Sequence, residues 1–228
     1  MRFNEQMNAG ITERLVKIRK TLPEGVALVA VSKTKSETEI LEAYRTGQRI
    51  FGENKIQEMS KKQQTLPKDI EWHMIGHVQR NKVKYMAPYV ALIHGVDSLK
   101  LLREIDKQAK KNERTIPCLF QVHIATESTK FGFNEEELTD LVQSQTLEEL
   151  QNVQILGLMG MATFTENTAQ IRKEFQLLKS IFDRLQPQLS QMRILSMGMS
   201  GDYPVALEEG SNMVRIGSSI FGARNYSQ

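Results

Sequence analysis

Two lysines follow the first strongly apolar segment of the chain. Val26–Val31 is a continuous, valine-rich run, and the segment Ser32-Lys33-Thr34-Lys35 comes directly after it. Partial burial disfavours the charged form of a lysine, lowers its pKa and leaves free amine to attack an aldehyde. Lys33 is therefore a candidate amine nucleophile. The alternative is a pair of solvated lysines that begin a loop, and this short segment taken alone favours that alternative.

Two segments near the end of the chain are rich in glycine and hydroxyl groups. Ser196–Asp202 has the sequence SMGMSGD, and Val214–Ser219 has the sequence VRIGSS. Backbone N–H groups and hydroxyls in such loops, together with a helix N-terminus, bind anions. We favour a phosphate site here over the alternative, which is a pair of tight turns.

A ligand with an aldehyde at one end and a phosphate at the other would use both the lysine and the phosphate site. Pyridoxal 5′-phosphate (PLP) fits this description, as do triose and pentose phosphates.

Three further segments carry polar groups that have two interpretations each. Glu53 and Asn54 follow Phe51-Gly52, and they are either polar groups beside a ligand or a cap and first-turn acid for the next helix. Lys130, in a polar loop, either faces solvent or contacts a ligand carboxylate. His73 and His77 lack the companions of a metal site, so we predict no metal there and expect His73 to be a hydrogen-bonded interior histidine.

Short apolar segments alternate with helical patterns along the whole chain. A helix in the first twenty residues, with Ile11, Leu15 and Ile18 on one face, precedes the alternation. The predicted strands are 26–31, 49–51, 71–75, 90–94, 116–124, 153–161, 193–197 and 213–216. The predicted helices between them are 37–46, 55–64, 79–86, 99–110, 134–144, 169–185 and 203–209. Eight such units predict an α/β fold, a (β/α)8 TIM-type barrel with an extra N-terminal helix, in one domain over residues 1–228.

The barrel indicates where the chemistry lies, because active sites of such barrels are built from the loops after the strands. The loops after strands seven and eight are also where barrels place a phosphate. Two glycines within the sixth predicted strand, Gly157 and Gly160, indicate close approach of a ligand ring or of a neighbouring layer.

Composition excludes several classes of protein. The 228 residues include 30 Lys and Arg against 27 Asp and Glu, for a net charge of +3, and the charges are interleaved rather than gathered in a stripe. We therefore predict no nucleic-acid binding. The longest apolar run, Val26–Val31, is far shorter than the roughly 20 residues of a membrane span. A single cysteine, Cys118, and an N-terminus without a signal peptide predict a cytoplasmic protein.

An ordered set of motifs resembles the pyridoxal phosphate homeostasis proteins over nearly the whole chain. The motifs are VAVSKTK, FGEN, HMIGHVQ, GLMGMA, LSMGMSGDY and VRIGSSIFG. The resemblance implies the PLP-binding barrel, called fold type III, that is shared with the N-terminal domain of alanine racemase. It also implies PLP as the cofactor, bound as a Schiff base, and a role in supplying PLP while keeping free PLP low, without established catalysis.

The resemblance assigns roles by position. Lys33 would form the Schiff base, and Ser200 with the Gly217-Ser218 turn would hold the phosphate. Arg215 resembles the racemase arginine that faces the pyridine nitrogen, and Asn54 would border the ring or the phosphate. Lys130 resembles a racemase position that carries an arginine for the substrate carboxylate.

Three functions compete at this stage. The leading one is a PLP carrier, with PLP-dependent apoenzymes as acceptors, which we expect to be a monomer. The second is a PLP-dependent, racemase-like enzyme with residual activity. The chain ends six residues after Gly222, without an appended domain to supply a second catalytic base, so we do not expect racemisation. The third is a Schiff-base aldolase, which Arg215 disfavours because a sugar phosphate has no pyridine nitrogen.

Overall fold

Eight apolar segments pair in chain order, each parallel to the next, and the eighth closes on the first. The computed structural model describes residues 10–126 and 131–222. Its strands are β1 (Ala27–Val31), β2 (Ile50–Glu53), β3 (Glu71–Met74), β4 (Leu92–Val96), β5 (Ile116–Gln121), β6 (Val153–Met159), β7 (Ile194–Ser196) and β8 (Met213–Ile216). Closure leaves no exposed sheet edge, and it brings the carboxyl ends of all eight strands to one mouth.

Helices surround the barrel and connect its strands. They are α1 (Ile11–Arg19), α2 (Glu37–Arg45), α3 (Ile56–Thr65), α4 (Val83–Met86), α5 (Leu99–Lys111), α6 (Glu135–Gln143), α7 (Thr168–Leu185), α8 (Tyr203–Glu208) and α9 (Ser218–Phe221), with 3₁₀ turns at Arg80–Lys82 and Gln145–Leu147. In the described part of the chain, no helix is long and apolar enough to cross a membrane. The predicted (β/α)8 barrel with an extra N-terminal helix is confirmed.

Several local bounds differ from those predicted. The second strand was expected to end at Phe51, but it continues through Glu53, because Gly52 and Glu53 pair with His73 and Met74 of β3. The segment 79–86 was expected to be one helix, and it is a 3₁₀ turn followed by the four-residue α4. The short helix α9 after Gly217 was not predicted.

The strands separate two apolar layers, and alternation along each strand assigns its side chains to one layer or the other. Inside the barrel, Val29, Leu92 and Leu119 pack with apolar side chains of β6 and β8. Outside, alternate strand residues such as Ala30 and Phe51 pack under the helices. The inner layer is small and lies below the mouth, so residues near the strand ends can face a ligand.

Helix α1 packs against α9, the last helix of the barrel. Its apolar face, Ile11, Leu15 and Ile18, is buried as the sequence predicts. Arg14 Nε donates to the carbonyl of Ile220 in α9 at 2.6 Å. Because α9 follows β8 directly, this contact holds the segment that begins at Gly217.

Gly157 is required by the approach of a neighbouring strand rather than by a ligand. A Cβ at this position would lie 1.8 Å from the carbonyl oxygen of Ile194 in β7. Gly160 is crowded by side chains of Ile124 and Leu178, with a Cβ coming within 2.8 Å of each. Of the two interpretations of these glycines, the structure supports the neighbouring layer.

We expect Gly157→Ala to lower the free energy of unfolding by about 3 kcal/mol, since the added methyl group forces β6 and β7 apart. Urea denaturation measures this loss. Gly201→Ala is the control, because a Cβ there meets nothing within 4 Å, and its change should stay within about 0.5 kcal/mol. Equal stability of the two variants would contradict the packing argument.

Candidate functional site

Five of the six residues predicted as cofactor contacts lie on the loops at the mouth of the barrel. Lys33 follows β1, Asn54 follows β2, Ser200 follows β7, and Gly217 with Ser218 follow β8. The sixth, Arg215, lies within β8 and is buried. Because β8 pairs with both β7 and β1, the loops that carry Ser200, Ser218 and Lys33 are neighbours.

Lys33 and Lys35 both lie in the loop after β1, at the mouth of the barrel. Lys35 has partners on two helices, because its ammonium lies 3.2 Å from Glu39 and 3.2 Å from the carbonyl of Phe221. Lys33 is the nearer of the two to Val31, the last residue of the strand, and it is the lysine that the family resemblance assigns to the Schiff base.

Ser200 connects the loops after β7 and β8. Its Oγ accepts a hydrogen bond from the N–H of Gly217 at 3.2 Å and a longer one from the N–H of Ser219 at 3.5 Å. The Asp202 carboxylate accepts from the N–H of Met199 at 2.5 Å and shapes the loop around Ser200. A hydroxyl that accepts from two amides keeps its own proton as a donor. This group of small residues, here called the anion cup (Ser200 and 217–219), can therefore hold a phosphate.

Arg215 brings a buried positive charge beneath the mouth. It is 3% exposed. One terminal nitrogen donates to the carbonyl and Oγ of Ser196 at 2.9 and 2.6 Å, and the other donates to the carbonyl of Gly160 at 3.0 Å. Burial lowers the pKa of the guanidinium to about 10, so the group remains charged at neutral pH.

A chain of hydrogen bonds extends from Arg215 across the barrel interior. Ser196 Oγ lies 3.1 Å from His94 Nδ1, and His94 Nε2 lies 3.0 Å from His73 Nδ1. A guanidinium can only donate, so Ser196 Oγ accepts from Arg215. Each of the two remaining contacts, from Ser196 to His94 and from His94 to His73, is a hydrogen bond whose direction follows from the tautomer of His94. We call these four residues the interior chain.

Both histidines of the interior chain are neutral. Burial lowers the pKa of His73 to about 3. Burial, and then the neighbouring His73 and Arg215, hold the pKa of His94 well below its ordinary value. A neutral imidazole has one donor and one acceptor nitrogen, so both hydrogen bonds of the histidines in the interior chain can form with uncharged rings.

Half of the interior chain was not predicted from the sequence. His73 was expected to be an interior, hydrogen-bonded histidine, which the structure shows, and Arg215 was predicted as a cofactor contact, but no role was given to His94 or Ser196. A signal was present, since both residues lie in or at the end of predicted strands. Strands covered on both faces lack polar alternation, however, so the sequence could not indicate which side chains point inward.

The interpretation of Glu53 as a helix cap was wrong. Helix α3 begins at Ile56, and Lys55 occupies its N-cap position without a side-chain cap. Glu53 is fully buried, and its Oε1 accepts from Ser32 and Lys62. The backbone of Asn54, the next residue, lies close to Gly76 in the loop after β3, and a Cβ on Gly76 would lie 2.6 Å from the Asn54 carbonyl oxygen.

A cavity of about 460 Å³ lies at the rim beside Asn54. It is lined by Asn54, Lys55, Ile56, Gln57, His77, Gln79 and Lys82. His77 is held there by Asp97, at 2.9 Å, and by stacking on Phe131. A smaller cavity of about 270 Å³, which includes Val153 and Gln191, is at the amino end of β6 and far from these loops. Lys130, also predicted at the mouth, lies outside the described residues.

The sequence and structure comparisons agree on the family. Residues 9–225 match the alanine racemase N-terminal domain family. The pyridoxal phosphate homeostasis protein of Aquifex aeolicus is 43% identical over 87% of both chains, and that of Vibrio alginolyticus is 40% identical over 90% of this chain and 89% of its own.

The chain belongs to the pyridoxal phosphate homeostasis protein family.

Solved structures support the same assignment. PipY of Synechococcus elongatus, solved without PLP, covers 93% of this chain and 100% of its own, with a TM-score of 0.87 and 38% identity. The structure of PipY with PLP bound has a TM-score of 0.81 and covers the same shares. The homeostasis family thus includes a protein of this fold that binds PLP.

The buried histidines predict a pH dependence of stability. An unfolded histidine binds a proton near pH 6.5, but native His73 does so near pH 3, so the native state loses stability as the pH falls between these values. Each such histidine contributes a slope of about 1.4 kcal/mol per pH unit.

We expect His73→Gln to reduce that slope by about 1.4 kcal/mol per pH unit between pH 6 and 5, since glutamine does not titrate. Urea denaturation of both proteins at pH 7.5, 6 and 5 measures the slopes. Parallel stability curves for the two proteins would show that native His73 binds its proton in the ordinary range.

Proposed function

We propose that the whole chain, residues 1–228, is a PLP-binding barrel that holds PLP as a Schiff base on Lys33 and serves PLP homeostasis in the cytoplasm. The observation that carries this proposal is the placement of Lys33, in the loop after β1, beside the anion cup on the neighbouring loop after β8, with the buried Arg215 in β8 itself. The single free cysteine, Cys118, is buried, which suits a reducing compartment. The membership of the family and the PLP-bound structure of PipY support the choice of ligand.

The residues present fit PLP at both ends. When bound, PLP supplies an aldehyde that condenses with an amine and a ring that withdraws electrons from the attached carbon. Lys33 supplies the amine. The anion cup supplies the proton of the Ser200 hydroxyl for the phosphate, and the N–H groups of Gly217 and Ser219 bind Ser200 Oγ and hold that hydroxyl in place. Its position after strands seven and eight is the one expected for a phosphate site in a barrel. We include Asn54 as a contact to the ring or the phosphate.

Arg215 determines what kind of chemistry the site supports. Its guanidinium uses three of its five N–H groups on Ser196 and Gly160, which leaves donors and no acceptor for a ring nitrogen. A nitrogen that faces Arg215 therefore stays unprotonated. An unprotonated ring withdraws electrons weakly, which suits holding and releasing PLP rather than transamination or decarboxylation.

The alternative function is that of a racemase-like enzyme with residual activity. Two-base racemisation needs a second base opposite the lysine. Among the described residues, the hydroxyls of Tyr44, Tyr89 and Tyr203 bind Asp69, Ser60 and Thr21, so these three tyrosines are unsuited to be that base. Because of the character of Arg215, we prefer the carrier function, with PLP-dependent apoenzymes as acceptors and a monomeric protein.

We expect borohydride reduction of the PLP complex to label the peptide that contains Lys33. Lys33→Ala should lose the visible absorption of the Schiff base yet still bind PLP, with an affinity weakened about 10- to 100-fold, because the anion cup lies on other strands. Lys35→Ala is the matched control and should keep the absorption. Labelling confined to Lys35 or Lys130 would overturn the assignment.

Incubation of the PLP-loaded protein with L-amino acids should yield D-isomer, keto acid and amine products only at background rates, because a ring nitrogen that faces Arg215 stays unprotonated and withdraws electrons weakly. Chromatography of the products measures this. PLP release to an added apoenzyme should nevertheless restore that enzyme's activity. Product formation near the ~10 s⁻¹ typical of enzymes would falsify the carrier function and favour the racemase-like alternative.

A further inference from the structure

A charged cluster on the outer side of the barrel wall lies directly behind Lys33. Lys62 of α3 lies 2.7 Å from Glu53 Oε1, at the end of β2, and 2.7 Å from Glu58 Oε1, one turn earlier on its own helix. Glu53 is fully buried and Lys62 is 6% exposed. We call these three residues the Lys62 cluster.

The cluster binds the residue that precedes Lys33. The Lys62 ammonium donates to the Ser32 carbonyl at 2.8 Å, and Ser32 Oγ donates to Glu53 Oε1 at 2.6 Å. With its bonds to the two carboxylates, the ammonium thus uses all three of its N–H groups. Both the backbone and the side chain of Ser32 are held by charged partners.

The cluster also binds the residue that follows Lys33. The N–H of Thr34 donates to Glu58 Oε1 at 2.6 Å. A bond from the Lys35 N–H to the Ser32 carbonyl, at 3.0 Å, closes residues 32–35 into a turn with Lys33 at its second position. The three residues of the cluster therefore fix this turn on both sides of the lysine.

The turn requires such support because its backbone is strained. Thr34 has a φ of 64°, at the third position of the turn, where glycine is preferred. A β-branched residue in this conformation is disfavoured and persists where surrounding contacts over-determine it. The hydrogen bond from Thr34 to Glu58 is such a contact.

Burial of the Glu53 carboxylate costs free energy, so this residue is poorly suited to stabilising the fold. Its Oε2 is buried and has no hydrogen-bond partner among the described residues. Burial raises the pKa of this carboxyl, although Lys62 and Ser32 oppose the shift. Buried ion pairs contribute little net stability compared with apolar side chains of similar size, so a positional role explains the cluster better than a stabilising one.

We propose that Glu53, Lys62 and Glu58 are positioning residues for Lys33, which present its amine to the mouth and so control how fast it reacts with an aldehyde. This inference rests on the proposed function. In the reaction, the lysine nitrogen bonds to the aldehyde carbon, and the carbonyl oxygen leaves as water with the two protons of the neutral amine. The phosphate end of the ligand is bound by the anion cup and does not depend on the cluster.

The test separates the reaction of Lys33 from the binding of the ligand. In Glu53→Gln, which keeps the shape but removes the charge, the rate at which PLP produces the visible absorption should fall at least about tenfold, which is a rise of about 1.4 kcal/mol in the barrier. The affinity for 4-deoxypyridoxine 5′-phosphate, which lacks the aldehyde, should stay within about twofold of the unmodified protein. Calorimetry measures that affinity.

A second buried glutamate provides the matched control. Glu174 is 5% exposed, and it holds the N–H and hydroxyl of Thr163, in the loop after β6, at 2.6 and 2.7 Å. Glu174→Gln should react with PLP at the unaltered rate. Glu58→Ala, on the half-buried side of the cluster, should repeat the effect of Glu53→Gln if that variant fails to fold, because it removes the acceptor for Thr34.

The outcomes distinguish this inference from the proposed function. If the unmodified protein itself forms no Schiff base at Lys33, the proposed function is wrong. If it does, and the cluster variants react at the same rate, the positioning role is wrong. If both cluster variants lose the reaction with PLP and also lose affinity for the aldehyde-free analogue, the cluster has a general structural role and the inference is overturned. An equally large fall in the reaction rate of Glu174→Gln would overturn it as well.

Discussion

A guanidinium group is buried inside the barrel, and a buried charge is tolerated only where polar groups around it accept its hydrogen bonds. Arg215 of β8 meets this requirement through the carbonyls of Ser196 and Gly160 and through the Ser196 hydroxyl. The Ser196 hydroxyl is hydrogen-bonded in turn to His94 of β4, and His94 is hydrogen-bonded to His73 of β3. One buried charge thereby links the inner faces of strands on opposite sides of the barrel.

The same requirement explains why the two histidines are neutral. A protonated imidazole in this chain would have to donate from both nitrogens, and His94 would then face the Ser196 proton and a positive arginine. Burial already lowers the pKa of both rings, so the uncharged arrangement is the stable one at neutral pH.

A second set of polar residues lies on the outer side of the barrel strands. The Lys62 cluster lies between the strands and α3, and it holds the turn that carries Lys33. In the proposed function, the interior chain and the Lys62 cluster act on opposite ends of one ligand site. The interior chain fixes the group that faces the ring nitrogen, the Lys62 cluster fixes the amine that meets the aldehyde, and the anion cup holds the phosphate.

The amino-acid sequence by itself determined the architecture and the location of the site. Strict alternation of apolar segments with helical patterns indicates a parallel barrel, and a parallel barrel gathers its loops at one mouth. Lysine after the first strand and small residues after the last two followed from local composition, and the ordered motifs identified the family. Local patterns suffice for these features because each depends on residues that are neighbours in the chain.

Tertiary structure alone decided which polar groups meet. His94 and Ser196 are 102 residues apart and come together only because the barrel closes. Glu53 was expected beyond the end of its strand, yet it lies within β2, because its backbone pairs with Met74 of β3. Ser32 and Lys62, from two other elements, supply the partners of its side chain. Strands that are covered on both faces show no polar alternation, so their sequence does not reveal whether a side chain faces the interior or the helices. That orientation is set by register and closure, and it separates Arg215, Ser196 and the histidines inside the wall from Glu53 and Lys62 outside it.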